Sequence, residues 1–221
     1  ALELSTNAGP WAVPDAYRKY NGVLRYTRGD AVNGFSLTAM GYHGSWNATE
    51  ASPERAITSG LIGRFGSVDD TDGGNTGRYS LSADWQHGGS SSVTKVTAYA
   101  MRYDLDLISN FTFYLDDPRH GDQQEQLDRR WVTGARASYR RMGRWRGRAV
   151  QHTVGVQVRN DLIPQVALLH TERRVPLETR ADSSALVTSA GVYAQSDIEW
   201  APKFRMNGGL RVDGSHYRVD A

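Results

Sequence analysis

Apolar side chains recur in this sequence with a period of two, and no other feature restricts the fold as strongly. Alternation of that kind puts one set of side chains on each face of an extended strand. Between Val93 and Leu115 the odd positions include Tyr99, Met101, Tyr103, Leu105 and Leu107, whereas the even ones carry Arg102, Asp104 and Asp106. At about 3.3 Å per residue such a run would reach roughly 70 Å, far beyond an ordinary soluble strand. The pattern returns as Val154, Val156 and Val158, then as Ala190, Val192, Ala194 and Ile198, and finally as Phe204, Met206, Leu210 and Val212. Further strands are expected at 17–27, 34–44, 78–86 and 129–139, about eight in all.

Connection lengths supply the next constraint. Short turns rich in Gly, Asn, Ser or Pro are expected at 28–33, 87–92, 141–148 and 201–203, with long loops between them at 46–77, 116–128 and 161–184. Such an asymmetry, with long loops on one rim and tight turns on the other, fits an up-and-down transmembrane β-barrel whose long loops are extracellular. Tyr26, Phe35, Trp85, Tyr139, Trp145, Trp200 and Phe204 lie near the short turns, as an interfacial aromatic girdle would. The expected faces are lipid for Tyr99, Met101, Tyr103, Val154, Val156, Val192, Leu210 and Val212. The lumen is expected to receive Arg102, Asp104, Asp197, Glu199, Arg205 and Arg211. One short helix is expected after Ser52 as N-cap, with Pro53 in its first position and Glu54 in its first turn.

Composition removes other classes. The chain has no cysteine and a formal net charge of +2, so disulfide frameworks and thiolate sites are excluded and nucleic acid is not an expected partner. The basic stretch 140–148 reads as a charged turn. No run of 18 apolar residues marks a membrane helix, a test that a barrel strand is not required to pass. Nucleophile elbows, phosphate-binding loops and zinc helices are missing, and the six histidines are scattered, so neither catalysis nor a metal or other cofactor is expected. Asp69-Asp70-Thr71-Asp72-Gly73-Gly74-Asn75 has closely spaced oxygens, but an EF-hand counted from Asp70 would need Glu where Leu81 stands. A tight turn is the better reading.

Several words in the sequence go further. Gly9-Pro10-Trp11, Gly63-Arg64-Phe65-Gly66 with Thr71-Asp72-Gly73-Gly74 and Arg78-Tyr79-Ser80, and the block from Ser109 to Pro118 followed by Gly121-Asp122-Gln123 and Gln126 resemble the barrel domain of TonB-dependent outer-membrane receptors. Relatives carry an aromatic where this chain has Gln124. The resemblance implies a bacterial outer-membrane receptor for active uptake of a scarce nutrient such as a metal chelate. It further implies about twenty-two strands around an N-terminal plug, driven by the TonB complex. Plug, TonB box and a terminal aromatic have no counterpart within these residues, which begin at Ala1 and show no basic segment followed by an apolar one. Residues 1–221 are therefore expected to be an internal part of such a barrel domain. Expected partners are outer-membrane lipid, an extracellular small molecule and, through the plug, the TonB complex. Two other readings compete: a self-contained eight-stranded membrane barrel, and a soluble carbohydrate-binding β-sandwich. Ligand contacts, without chemistry, are expected from Trp46, Phe65, Asp69, Asn75, Arg119 and Gln123 in the long loops.

Overall fold

The computed structural model describes residues 1–220; Ala221, with which the chain ends, lies outside the described residues. One antiparallel sheet contains every strand in sequence order: β1 (Leu2–Asn7), β2 (Tyr17–Gly29), β3 (Gly34–Asn47), β4 (Gly73–Gly88), β5 (Ser92–Ser109), β6 (Gln124–Trp145), β7 (Arg148–Glu172), β8 (Val175–Ala201) and β9 (Phe204–Asp220). Each strand pairs with its sequence neighbour, and β1 does not pair with β9 among the described residues. A nine-stranded open meander replaces the eight strands expected. The extra one, β1, is too short for its alternation to stand out. Both rival architectures fall here: no second sheet packs on the first, and the nine strands do not close on themselves.

Register decides the faces, because residues opposite one another in a ladder share a side. Val156 pairs with Val192 and Ala137, Ala137 with Val96, Val96 with Trp85, and Trp85 with Phe35; Val192 pairs with Val212. That row continues through Leu37, Leu81, Ala83, Ala98, Ala100, Ala135, Val154, Val158 and Leu210 on the same side. The result is an apolar band bounded by Phe35, Trp85 and Tyr139 toward the short turns and by Tyr79 and Trp131 toward the long loops. From Tyr79 to Trp85 it measures about 20 Å at 3.3 Å per residue, close to the height of a lipid-facing barrel band. Leu24 is 75% exposed and Leu210 83%. A soluble sheet would cover such residues.

On β5 the expected faces are reversed. Tyr99 pairs with Gly134, Met101 with Val132 and Tyr103 with Arg130, on the side shared with Arg136, Gln157 and Arg211, whereas Arg102 pairs with Tyr79 and Trp131 on the apolar side. Asp104 follows Arg102 and pairs with it at 2.8 Å, beyond the band's upper aromatic row, where Arg102 also lies over Trp131. Even positions of β5 are small and apolar only within the band, so the bulkier odd positions misled the reading by size. Val154, Val156, Val192, Leu210 and Val212 share one face, and Asp197, Glu199, Arg205 and Arg211 the other, as expected. Polar-face side chains pair along and across strands, as in Arg159–Asp161, Arg205–Asp197 and Arg211–Asp213.

Glycines shape that polar face. Tyr99 lies flat over Gly134 and Tyr193 over Gly155, so close that a Cβ on either glycine would overlap the ring.

The connections differ from expectation most at 161–184. Residues 48–72 and 110–123 form long loops, but the region 161–184 is almost entirely strand: β7 and β8 run on to a tight turn at Arg173 and Arg174, both at positive φ. Register shifts between Ile163 and Val166, Leu168 and Leu169, and His170 and Thr171 break the alternation there. Pro164 and Pro176 add to the interruption. β5 ends at Ser109, short of Leu115. The turn in 141–148 narrows to Arg146 and Gly147. Helix α1 spans Glu54–Thr58, and Pro53 occupies its N-cap without a side-chain cap. Ser52, the expected cap, instead donates its hydroxyl to Gly66 O at 2.9 Å.

Candidate functional site

The long connections at the outer rim divide into a polar hub and an aromatic pocket. At the hub stands Gln123, 1% exposed. Its amide oxygen accepts from Thr171 Oγ1 (2.9 Å) and from the Arg174 N–H (2.8 Å), which fixes the orientation of the amide. Its nitrogen is therefore directed at Asp69 Oδ2 (3.0 Å), Thr71 Oγ1 (2.7 Å) and Asp72 Oδ1 (3.1 Å). Asn110 Nδ2 donates to Asp69 Oδ2 at 2.9 Å, and Arg174 Nε donates to Thr71 O at 2.6 Å. Three connections distant in sequence meet at one side chain.

Asp69 folds its own loop by accepting from Thr71 N–H at 3.0 Å, the tight turn expected of the acidic segment. Asp122 does the same for the β5–β6 loop, accepting from the N–H groups of Leu115 (2.8 Å) and Asp117 (2.7 Å). Asp117 accepts from the N–H groups of His120 (3.0 Å) and Arg119 (2.9 Å), which together hold its carboxyl down to about 2. Asp72 behaves oppositely. Burial first, then the neighbouring Asp69, push its carboxyl up to about 7, against the opposing hydrogen bond from Gln123.

The aromatic pocket lies beside the hub, on the polar face. Asn7, Trp11, Asp15, Tyr17, Trp46, Asn47, Ala48 and Thr49 line a hollow of about 300 Å³. Tyr17 and Trp46 project to the polar side because they share parity with the paired Lys19 and Gly44. The β1–β2 loop is tied in by Asn47 N to Asp15 O (2.6 Å) and Ala12 N to Phe65 O (2.8 Å), and Trp11 stacks obliquely on Phe65 at 6.1 Å. Gly9 turns this loop at φ +67°, where a Cβ would strike the Asp15 carboxylate. Thr49 Oγ1 is buried without a partner in the protein.

Of the six residues expected to bind ligand, only Trp46 lines this pocket, with Phe65 behind Trp11. Asp69 and Gln123 belong to the hub, where the Gln123 amide is consumed by loop contacts. Asn75 lines a separate hollow of about 280 Å³ with Arg18, Asp106 and Arg174. Arg119 stands exposed at the tip of the β5–β6 loop. Trp11, Tyr17 and Asp15 were not anticipated as site residues. Gly9-Pro10-Trp11, an aromatic after a turn signal, was the clue available.

Among solved structures, the ferric citrate transporter FecA in its unliganded form superposes with a TM-score of 0.69 at 14% identity, covering 93% of this chain and 30% of that one. The ferric-catecholate import receptor Fiu from K12 E. coli, closed form, gives 0.70 at 12% identity, covering 99% and 37%. Its open form gives 0.67 at 12% identity, covering 99% and 40%. The chain thus spans well under half the length of these receptors. No curated protein sequence matches. Residues 7–221 match the family described as TonB dependent receptor-like, beta-barrel, and with the one-sheet meander and its apolar band in place, the chain belongs to the TonB-dependent receptor β-barrel family.

Proposed function

We propose that this chain forms part of the wall of a bacterial outer-membrane receptor that imports a small extracellular nutrient, a ferric chelate being the class favoured by the receptors it resembles in fold. The apolar band contacts outer-membrane lipid, the polar face looks into the lumen, and transport is driven through a plug engaged by the TonB complex. The wall itself carries out no reaction and contacts no nucleic acid. One observation carries the reading: an apolar band of membrane height on one face, with the Trp11–Tyr17–Trp46 pocket at the outer end of the opposite face.

In this reading Trp46 and Trp11 supply flat contact area, and Asp15, Asn47 and Thr49 orient the ligand, with Phe65, Asn75 and Arg119 at the rim of the approach. Asp69 and Gln123 contribute by holding the loops in place. The test is iron uptake by cells expressing the complete receptor, with labelled iron presented as ferric citrate and as a ferric catecholate. Trp11→Ala with Trp46→Ala, at unchanged surface level, is expected to lower uptake of one chelate at least tenfold. Transport of neither chelate by the parent receptor would overturn the ferric reading. Unchanged transport by the variant would overturn the role of the pocket.

A further inference from the structure

Asp72 is wholly buried at 0% exposure, and its Oδ2 has no hydrogen-bond partner among the described residues. Its Oδ1 accepts from the Gln123 amide nitrogen, which has two hydrogens for three acceptors, and the Asn110 N–H is the other group that favours the charged carboxylate. Asp69 beside it is fully served: Thr71 N–H (3.0 Å) and Thr71 Oγ1 (2.6 Å) bind Oδ1, and Asn110 (2.9 Å) and Gln123 (3.0 Å) bind Oδ2. The Asp69 carboxylate opposes ionisation of its neighbour. A charge on Asp72 would be buried, under-bonded and adjacent to a like charge, which is costly.

Other charged groups around the hub do not offset it. Arg174 directs its guanidinium at the backbone oxygens of Thr71 and Asp72, and Arg173 pairs with Asp70 at 2.9 Å. Glu50, from the same β3–β4 loop, adds to the negative field at Asp72. His170, from β7, is buried and bonded through Nε2 to Gly121 O at 2.6 Å. Asn110, Thr171 and Gln123 bring no charge.

We propose that Asp72 is the proton-sensitive pin of a latch that joins the β3–β4 loop, the β5–β6 loop and the β7–β8 turn, closed when Asp72 is protonated and loosened when it ionises. The direction follows from linkage. Its carboxyl in the closed latch titrates near 7, above the ordinary 3.8, so the closed state holds a proton that the open state has released. The contribution is complete below about pH 4, declines as pH rises toward 7, and is flat beyond. Mildly acid surroundings tighten the outer loops, and neutral ones free them to open.

The experiment is hydrogen exchange by mass spectrometry on the complete receptor in lipid nanodiscs between pH 5 and 7, corrected for intrinsic exchange with an unstructured peptide. In the parent protein the opening equilibrium of peptides covering 69–72, 110–123 and 171–174 is expected to rise by up to about tenfold per pH unit. Asp72→Asn is expected to remove that slope, and His170→Gln to keep it. β4 and β5 amides within the apolar band report that each variant is folded and should show no slope. A flat parent profile, a slope retained in Asp72→Asn, or one abolished by His170→Gln alone would overturn the latch.

Discussion

Along β2 to β9 the wall buries very little, whereas the connections above it bury polar groups as thoroughly as a soluble core buries leucine. Among the described residues only Ala56, Ile108, Phe113, Val132, Val150 and Ala167 are buried apolar ones, and four of these lie at the rim. The buried polar set is Ser36, Asp72, Ser109, Asn110, Asp122, Gln123, Thr153, His170 and Thr171, and all except Ser36 and Thr153 belong to the rim. Ladder hydrogen bonds satisfy the wall's backbone, so its side chains are free to match whatever lies on either face. The rim loops 48–72 and 110–123 have no continuous ladder; side-chain amides and carboxylates serve several of their N–H groups instead. The two regions should therefore fail in different ways: the wall when the polarity of one face is changed, the rim when one polar atom is removed.

The strongest way to break that comparison is to place a charge in the apolar band. Ala98→Arg or Val156→Arg should cost about 2–4 kcal/mol of folding stability in lipid, whereas Tyr99→Arg and Gln157→Arg, one residue along on the polar face, should cost far less. Folded yield measured by gel mobility with and without heating decides it, and equal losses from neighbouring residues would refute the face assignment. Next in size, Gln123→Ala strips partners from half-buried Asp69 and from buried Asp72 and Thr171 and should weaken the rim by about 2–3 kcal/mol. Hydrogen exchange should register this in 110–123 and 171–174 but not in β4 or β5; a loss spread evenly through the sheet would mean that rim and wall are one cooperative unit.

Smaller effects sharpen the boundary. Gly9→Ala forces a Cβ into a left-handed backbone conformation and should cost about 1 kcal/mol, visible as faster proteolysis of the β1–β2 loop. Unaltered cleavage would show that the turn re-forms without its glycine. Thr97→Val removes a hydroxyl that donates to Asp84 at 2.7 Å on the polar face and should cost about 0.5 kcal/mol in denaturant titration, the least of the four because water can reach the freed carboxylate.

Much of the wall was legible because alternation is a local signal, readable strand by strand. β5 shows its limit. Tyr99, Met101 and Tyr103 look more apolar than Val96, Ala98 and Ala100 when taken alone, and only pairing with Gly134, Val132 and Ala135 reveals which set joins the band. Bulges hide strands for the same reason: each changes parity, so the end of β7 and the start of β8 within 161–184 read as a loop although they are hydrogen-bonded almost throughout. The rim was less legible. The words at 71–74 and 121–123 stood out, yet nothing local says that Gln123 reaches back some fifty residues to Asp69 and Asp72. A glutamine in a polar loop ordinarily faces water, and its burial is a property of three segments meeting.

The rings of Tyr99 and Tyr193 lie along the wall only because Gly134 and Gly155 leave them room. Any larger residue at either position would lift its tyrosine off the sheet and swing the phenol outward from the polar face. In the proposed receptor that face lines the lumen, whose calibre is then governed by residues with no side chain of their own: a single added methyl group on one strand would narrow it by the width of an aromatic ring carried on the next.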